Sequence, residues 1–197
     1  MKNTFLSAAI LATLFAACQS NGGKAPEQIV TSAATENKET PAPSKDAATA
    51  PVVKPGMADG IVKPYLQLKD ALAKDNGKDA AAAGKEIVAA LANMDVKALT
   101  PAQKKTYDDV AGDAKENAEH IGDNAGKISH QREHFAMLSA DVADLVTALG
   151  TSQKLYEDFC PMFNDKKGAI WISESKEIKN PYYGSKMPNC GSVKKEL

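Results

Sequence analysis

Four apolar stripes at helical spacing run through residues 58–150, and they leave this chain few folds to choose from. Ile61, Tyr65, Leu68 and Leu72 recur at i+4, i+3, i+4. Ala80, Ala83, Ile87, Leu91 and Met94 form a second stripe, and Tyr107, Val110, Ala114, Ala118 and Ile121 a third. Ile128, Phe135, Leu138, Val142, Leu145 and Leu149 form the fourth and strongest. Residues three and four apart lie on one face of a helix, so each stripe predicts an amphipathic helix with a face to bury. The breaks between stripes carry matching punctuation. Asn76-Gly77 separates the first two, and Thr100-Pro101-Ala102-Gln103 offers an N-cap, a first-turn proline and a capping-box glutamine. Gly122, Asn124 and Gly126 loosen the third junction, where the last two helices either separate or run on with a kink. Gly150 ends the fourth helix. Short connections between helices imply antiparallel neighbours, so the expected fold is mainly α, an up-and-down bundle of about four helices. The Ala-rich second helix predicts close backbone approach on its inner face.

Beyond Gly150 the pattern changes. Ala169-Ile170-Trp171-Ile172-Ser173 reads as a short strand, and Asp165-Lys166-Lys167-Gly168 before it as a turn. Ile178-Lys179-Asn180-Pro181-Tyr182-Tyr183-Gly184 is a compact aromatic turn, and Met187-Pro188-Asn189-Cys190-Gly191 follows it. A tail holding the one Trp and so many aromatic residues needs apolar surface to cover. It is therefore expected to fold back over one end of the bundle as a β/loop appendage.

The opposite end of the chain is not part of this domain. Lys2 precedes a short apolar run, Phe5 to Phe15, that is too short for a bilayer span of about 20 residues. The run exits through Ala16-Ala17-Cys18, with small residues before a cysteine. This predicts a cleaved signal over residues 1–17 and a bacterial lipobox, in which Cys18 is diacylated and becomes the new N-terminus. Two acyl chains suffice for stable anchoring, which places the mature chain in the cell envelope. By resemblance to enterobacterial sorting rules, Gln19 rather than Asp favours the outer membrane, facing the periplasm. Residues 18–57 are rich in Ala, Thr, Ser, Pro, Lys and Glu, with Pro26, Pro41, Pro43, Pro51 and Pro55. So little apolar surface cannot offset the entropy of ordering, and the segment is expected to be a disordered tether. The folded domain is then residues 58–197. Loss of Lys2 with the signal moves the formal charge from −1 to −2, a near-neutral balance that argues against nucleic acid as a partner.

With Cys18 assigned to lipid, two thiols remain, Cys160 and Cys190, each beside a methionine in Cys160-Pro161-Met162 and Met187-Pro188-Asn189-Cys190. Soft sulfur donors select Cu(I), with Zn²⁺ second for the thiolates. Of His120, His130 and His134, the last two share a stripe on the fourth helix with Met137 and Asp141, and His134 lies nearest the apolar seam. It is expected beneath the sulfur loops. The predicted metal set is His134, Met137, Cys160, Met162, Met187 and Cys190. The alternative is a structural disulfide between Cys160 and Cys190, which export to an oxidising compartment favours. It would close a loop of about 30 residues and stabilise by roughly 3–4 kcal/mol on chain-entropy grounds.

No Gly-rich phosphate loop, Gly-x-Ser-x-Gly elbow or His-Glu-x-x-His helix occurs. A Cys160–His134 nucleophilic pair lacks an orienting third group. No catalytic residue is assigned and the chain is not expected to be an enzyme.

Several of these segments together resemble a known family. They are Gln131-Arg132-Glu133-His134-Phe135 with Leu138-Ser139, Tyr156 through Cys160-Pro161-Met162, Gly168-Ala169-x-Trp171-x-Ser173, Ile178-x-Asn180-Pro181-Tyr182-Tyr183-Gly184, and Met187-x-x-Cys190-Gly191. The family is a domain of unknown function found in lipoproteins of the Bacteroidota and appended to periplasmic adaptor subunits of copper- and silver-type efflux pumps. The resemblance covers about residues 60–197. It implies a helical domain in a heavy-metal context, with efflux components as partners, and it supports His134, Cys160, Met162, Met187 and Cys190 as site residues. Met137 rests on helical spacing.

Overall fold

The computed structural model describes residues 56–197. The predicted signal, Cys18 and nearly all of the predicted tether lie outside the described residues. Four long helices open the domain: α1 (Asp59–Ala73), α2 (Gly77–Ala92), α3 (Pro101–Asp123) and α4 (Ile128–Leu149). Asn76 caps α2 by accepting from the Asp79 N–H. Thr100 and Gln103 form the full capping box at α3, and Gly150 closes α4 at φ 74°. The third junction is a true break. Asn124 caps α3, and α4 starts afresh at Ile128, so the two helices form a hairpin rather than one kinked rod.

The predicted stripes are the core. Ile61, Tyr65, Leu68, Leu72, Ile87, Ala114, Ala118, Ile121, Phe135, Leu138, Val142, Leu145 and Leu149 are all buried. The close approach expected of α2 centres on Gly84, where an added Cβ would lie 2.8 Å from the Ala118 carbonyl oxygen and 3.1 Å from the Gly122 nitrogen. Each helix packs mainly on the next in sequence, and α1 and α4 touch far less. The start of α1 is nevertheless tied to the end of α4. The Ala58 N–H donates to the Gly150 carbonyl at 2.9 Å, and the Asp59 carboxylate accepts from Thr151 Oγ1 at 2.7 Å and the Ser152 N–H at 2.9 Å.

The tail is a three-stranded antiparallel sheet of β1 (Tyr156–Cys160), β2 (Ala169–Ser173) and β3 (Ser192–Glu196), in the order β2-β1-β3. It was expected over one end of the bundle, but it lies along the flank where α1 and α4 leave their seam open. β2 packs on α4 and α1, and the ties are mid-helix. The Tyr65 hydroxyl, fully buried, bonds Ser139 Oγ at 2.7 Å and accepts from the Ile172 N–H at 3.0 Å. The Phe135 ring stacks on Tyr65 at 5.4 Å and meets Tyr182 at 5.6 Å. The aromatic tail therefore fills the side of the core that four helices alone leave uncovered. Among the described residues, no helix is long and apolar enough to cross a membrane.

Candidate metal centres

Strand register brings the two cysteines together. Cys160 is the last residue of β1, and Phe159 pairs with Ser192, the first residue of β3. Running β3 back by two residues puts Cys190 just past the end of β1, beside Cys160. Their Sγ atoms stand 4.0 Å apart and are not bonded, against about 2.04 Å in a disulfide. Cys160 is buried, whereas Cys190 is half-buried at the mouth of the loop. Burial and the neighbouring Cys160 thiol push the Cys190 thiol above its ordinary pKa.

Asn180 fixes this loop. It is fully buried, its side-chain amide N–H donates to the Cys190 carbonyl, and its backbone N–H donates to the Pro188 carbonyl at 2.8 Å. Its Oδ1 in turn accepts from the N–H groups of Tyr182 at 2.8 Å and Tyr183 at 3.0 Å. The Pro-Tyr-Tyr turn and the cysteine loop are thus held by one side chain. Opposite, the Tyr183 hydroxyl donates to the Met162 carbonyl at 2.8 Å, which steadies the loop after Cys160. Met162 is exposed at 41% and Met187 is half-buried.

His134 does not join this group. Its Nδ1 bonds Asn117 Oδ1 at 2.9 Å across the α3–α4 hairpin, and its ring stacks on His120 at 4.3 Å and meets His130 edge-on at 4.5 Å. The reason is helical phase. Arg132 and Ala136 of α4 face the tail, and His134 is two residues from each, about 200° around the helix at about 100° per residue. The expectation that His134 sits beneath the sulfur loops is corrected accordingly. Met137 is 49% exposed. It lines an open cleft of about 600 Å³ with Arg132, Phe163, Tyr182 and Tyr183.

Among the described residues, one group of three or more His, Cys, Asp or Glu ligand atoms is compact enough for a single ion, and it is His120, His130 and His134, whose ligand atoms lie within 4.8 Å of one another. It includes neither cysteine. Burial, then the neighbouring His120 and His130, lower the His134 pKa, which favours the neutral imidazole. Neither His120 nor His130 is among the ligands expected from the sequence. The signal was present in the hairpin: a turn centred near residues 125–126 sets 120 opposite 131 and 117 opposite 134.

Two further buried polar groups lie near the sulfur loops. Asp158 on β1 is fully buried with no hydrogen-bond partner on either carboxylate oxygen, and the indole N–H of Trp171, its cross-strand neighbour, is likewise unpartnered. Burial raises the Asp158 carboxyl to about 6, against the lowering pull of Lys69.

A family model described as "Protein of unknown function (DUF3347)" matches residues 61–154. That span covers the four helices from Ile61 onward and the three histidines and stops before β1, so both cysteines lie beyond it. No curated protein and no solved structure matches the chain.

Proposed function

We propose that this chain is a membrane-tethered protein of the cell envelope that binds a soft metal ion, Cu(I), through Cys160 and Cys190 and serves heavy-metal homeostasis or efflux. The observation that carries the reading is the pair of unbonded sulfurs facing each other at 4.0 Å at the mouth of a braced loop. A metal–thiolate bond of about 2.3 Å would let one ion bridge them at an S–metal–S angle of about 120°. That angle leaves room for a third donor, and Met162 and Met187 supply thioethers within three residues of the thiols. Thiolate and thioether donors together favour Cu(I) over harder ions, with Zn²⁺ second. The lipobox reading of Cys18 supplies the membrane anchor, and the efflux-adaptor resemblance supplies the partners. His134 and Met137 are not needed for this site.

The expected result is one Cu(I) per reduced chain, held against a competing chelator, with a Cys160→Ser/Cys190→Ser variant losing most of that affinity. Unchanged affinity in the double variant overturns the proposal. The same sulfur pair also favours a second reading, a disulfide-stapled interaction or scaffold lipoprotein without metal, because two thiols already in contact need little movement to bond. Thiol counting on protein taken from its own envelope separates the two: no free thiols and no metal favours the staple.

A further inference from the structure

We infer that His120, His130 and His134 form a second metal site, for a borderline divalent ion such as Zn²⁺, built into the closed end of the α3–α4 hairpin and independent of the cysteines. The three ligand atoms already lie within 4.8 Å of one another, and the donor set is all imidazole. Imidazole suits Zn²⁺, Cu²⁺ and Ni²⁺, whereas thiolate and thioether suit Cu(I). The two sites of this chain therefore sort metals by softness rather than compete for one.

The surroundings of His134 have the arrangement a metal-binding imidazole requires. The amide N–H of Asn117 donates to the Asp113 carbonyl at 3.0 Å, which turns its Oδ1 towards His134, and that oxygen lies 2.9 Å from Nδ1. A carbonyl acceptor there holds the proton on Nδ1 and leaves the Nε2 lone pair for an ion. This is the outer-shell contact typical of histidine ligands. Asn117 is itself 9% exposed, so the ring is anchored from beneath. His120 and His130 are the more open partners, with side chains 45% and 39% exposed. Each stands near a carboxylate of its own helix, Glu116 at 3.8 Å and Glu133 at 3.4 Å, which offsets part of a dication's charge. Bringing three nitrogens to about 2.0–2.1 Å from one ion requires the stacked His120 and His134 rings to splay, and exposed side-chain rotation of His120 accomplishes that. Three protein nitrogens leave the fourth tetrahedral position for water.

The test is calorimetric titration of the full chain with Zn²⁺ in the Cys160→Ser/Cys190→Ser background, so that thiol binding contributes nothing. One Zn²⁺ per chain is expected. His120→Ala and His130→Ala, at an exposed and a half-buried position, should each abolish or sharply weaken it. Asn117→Ala should lower affinity by roughly 10–100-fold, the effect of losing an outer-shell partner. Binding that survives the paired His120→Ala/His130→Ala change, or that disappears in the cysteine variant alone, overturns the inference. The cysteine background also keeps this outcome separate from any failure of the Cu(I) reading.

Discussion

Arg132 is the clasp between the tail and the bundle, and replacing it should detach one from the other. The residue is 8% exposed and spends three donors on two segments. Nε donates to the Pro181 carbonyl at 2.7 Å in the aromatic turn, and Nη2 donates to the Leu72 carbonyl at 2.8 Å and to Asp75 Oδ1 at 2.6 Å at the end of α1. Gly184 seals the joint, because at φ +52° an added Cβ would run into the Asp75 carboxylate and the Arg132 guanidinium. In Arg132→Ala two buried carbonyls lose a charged donor, at roughly 1–3 kcal/mol each. Asp75 is more than a third exposed, so losing its partner adds only about 0.5–1 kcal/mol. The total is about 2.5–7 kcal/mol, which at about 2–4 °C per kcal/mol is roughly 5–28 °C in Tm for a domain of this size. Trp171 gives the loss a location, since it lies on β2 of the tail, is fully buried and is the one Trp in the sequence. Its emission should shift to the red at temperatures where helical circular dichroism is still intact. Arg132→Lys keeps the charge but not the fork, and should fall between the two. A loss under about 1 kcal/mol, with Trp171 emission unmoved, would refute the clasp.

Other perturbations follow from the same geometry. Gly84→Ala puts a Cβ against the Ala118 carbonyl oxygen, so it should destabilise by roughly 1–3 kcal/mol in urea unfolding despite alanine's higher helix propensity. Asp158 has its folded pKa raised to about 6 from 3.8, so its contribution is full below the unfolded value and is lost as pH rises through about 6. Between pH 7 and 5 the Asp158 contribution should therefore rise on acidification, measured as the difference in pH slope between the unaltered chain and Asp158→Asn. Asn180→Ala frees the Cys190 loop from its central anchor. The thiols of that variant should react faster with a thiol probe, and its Cu(I) affinity should drop while the helices persist.

The helices were legible because their information is local. A buried face recurs every three or four residues, and Thr100 and Gln103 meet within one turn. Strand β2 was legible for a similar reason, its run of Ile170, Trp171 and Ile172 being apolar and β-prone. The other two strands were not. In β1 the inward positions are Tyr156, Asp158 and Cys160, and a buried aspartate breaks the alternation a reader looks for. In β3 every residue is exposed, so Ser192–Glu196 has no face to bury and becomes a strand only by pairing with β1. Tail placement also escaped, because it depends on an opening between α1 and α4 that forms only once all four helices are packed. Cys160 and Cys190 were singled out by residue type, but their adjacency comes from the β1–β3 register. His134 was singled out too and assigned the wrong company, since the stripe places it on α4 without saying which neighbour covers that side. Its partners, Asn117 and His120, come from another helix and become visible only when the hairpin is folded.

The dithiol site is tested most directly by X-ray absorption at the copper edge on the reduced full chain loaded with one Cu(I). The expected result is copper surrounded by sulfur, with two thiolates per copper and the signal lost in Cys160→Ser/Cys190→Ser. A nitrogen environment, unaffected by that change, would contradict it and move the copper to the histidines.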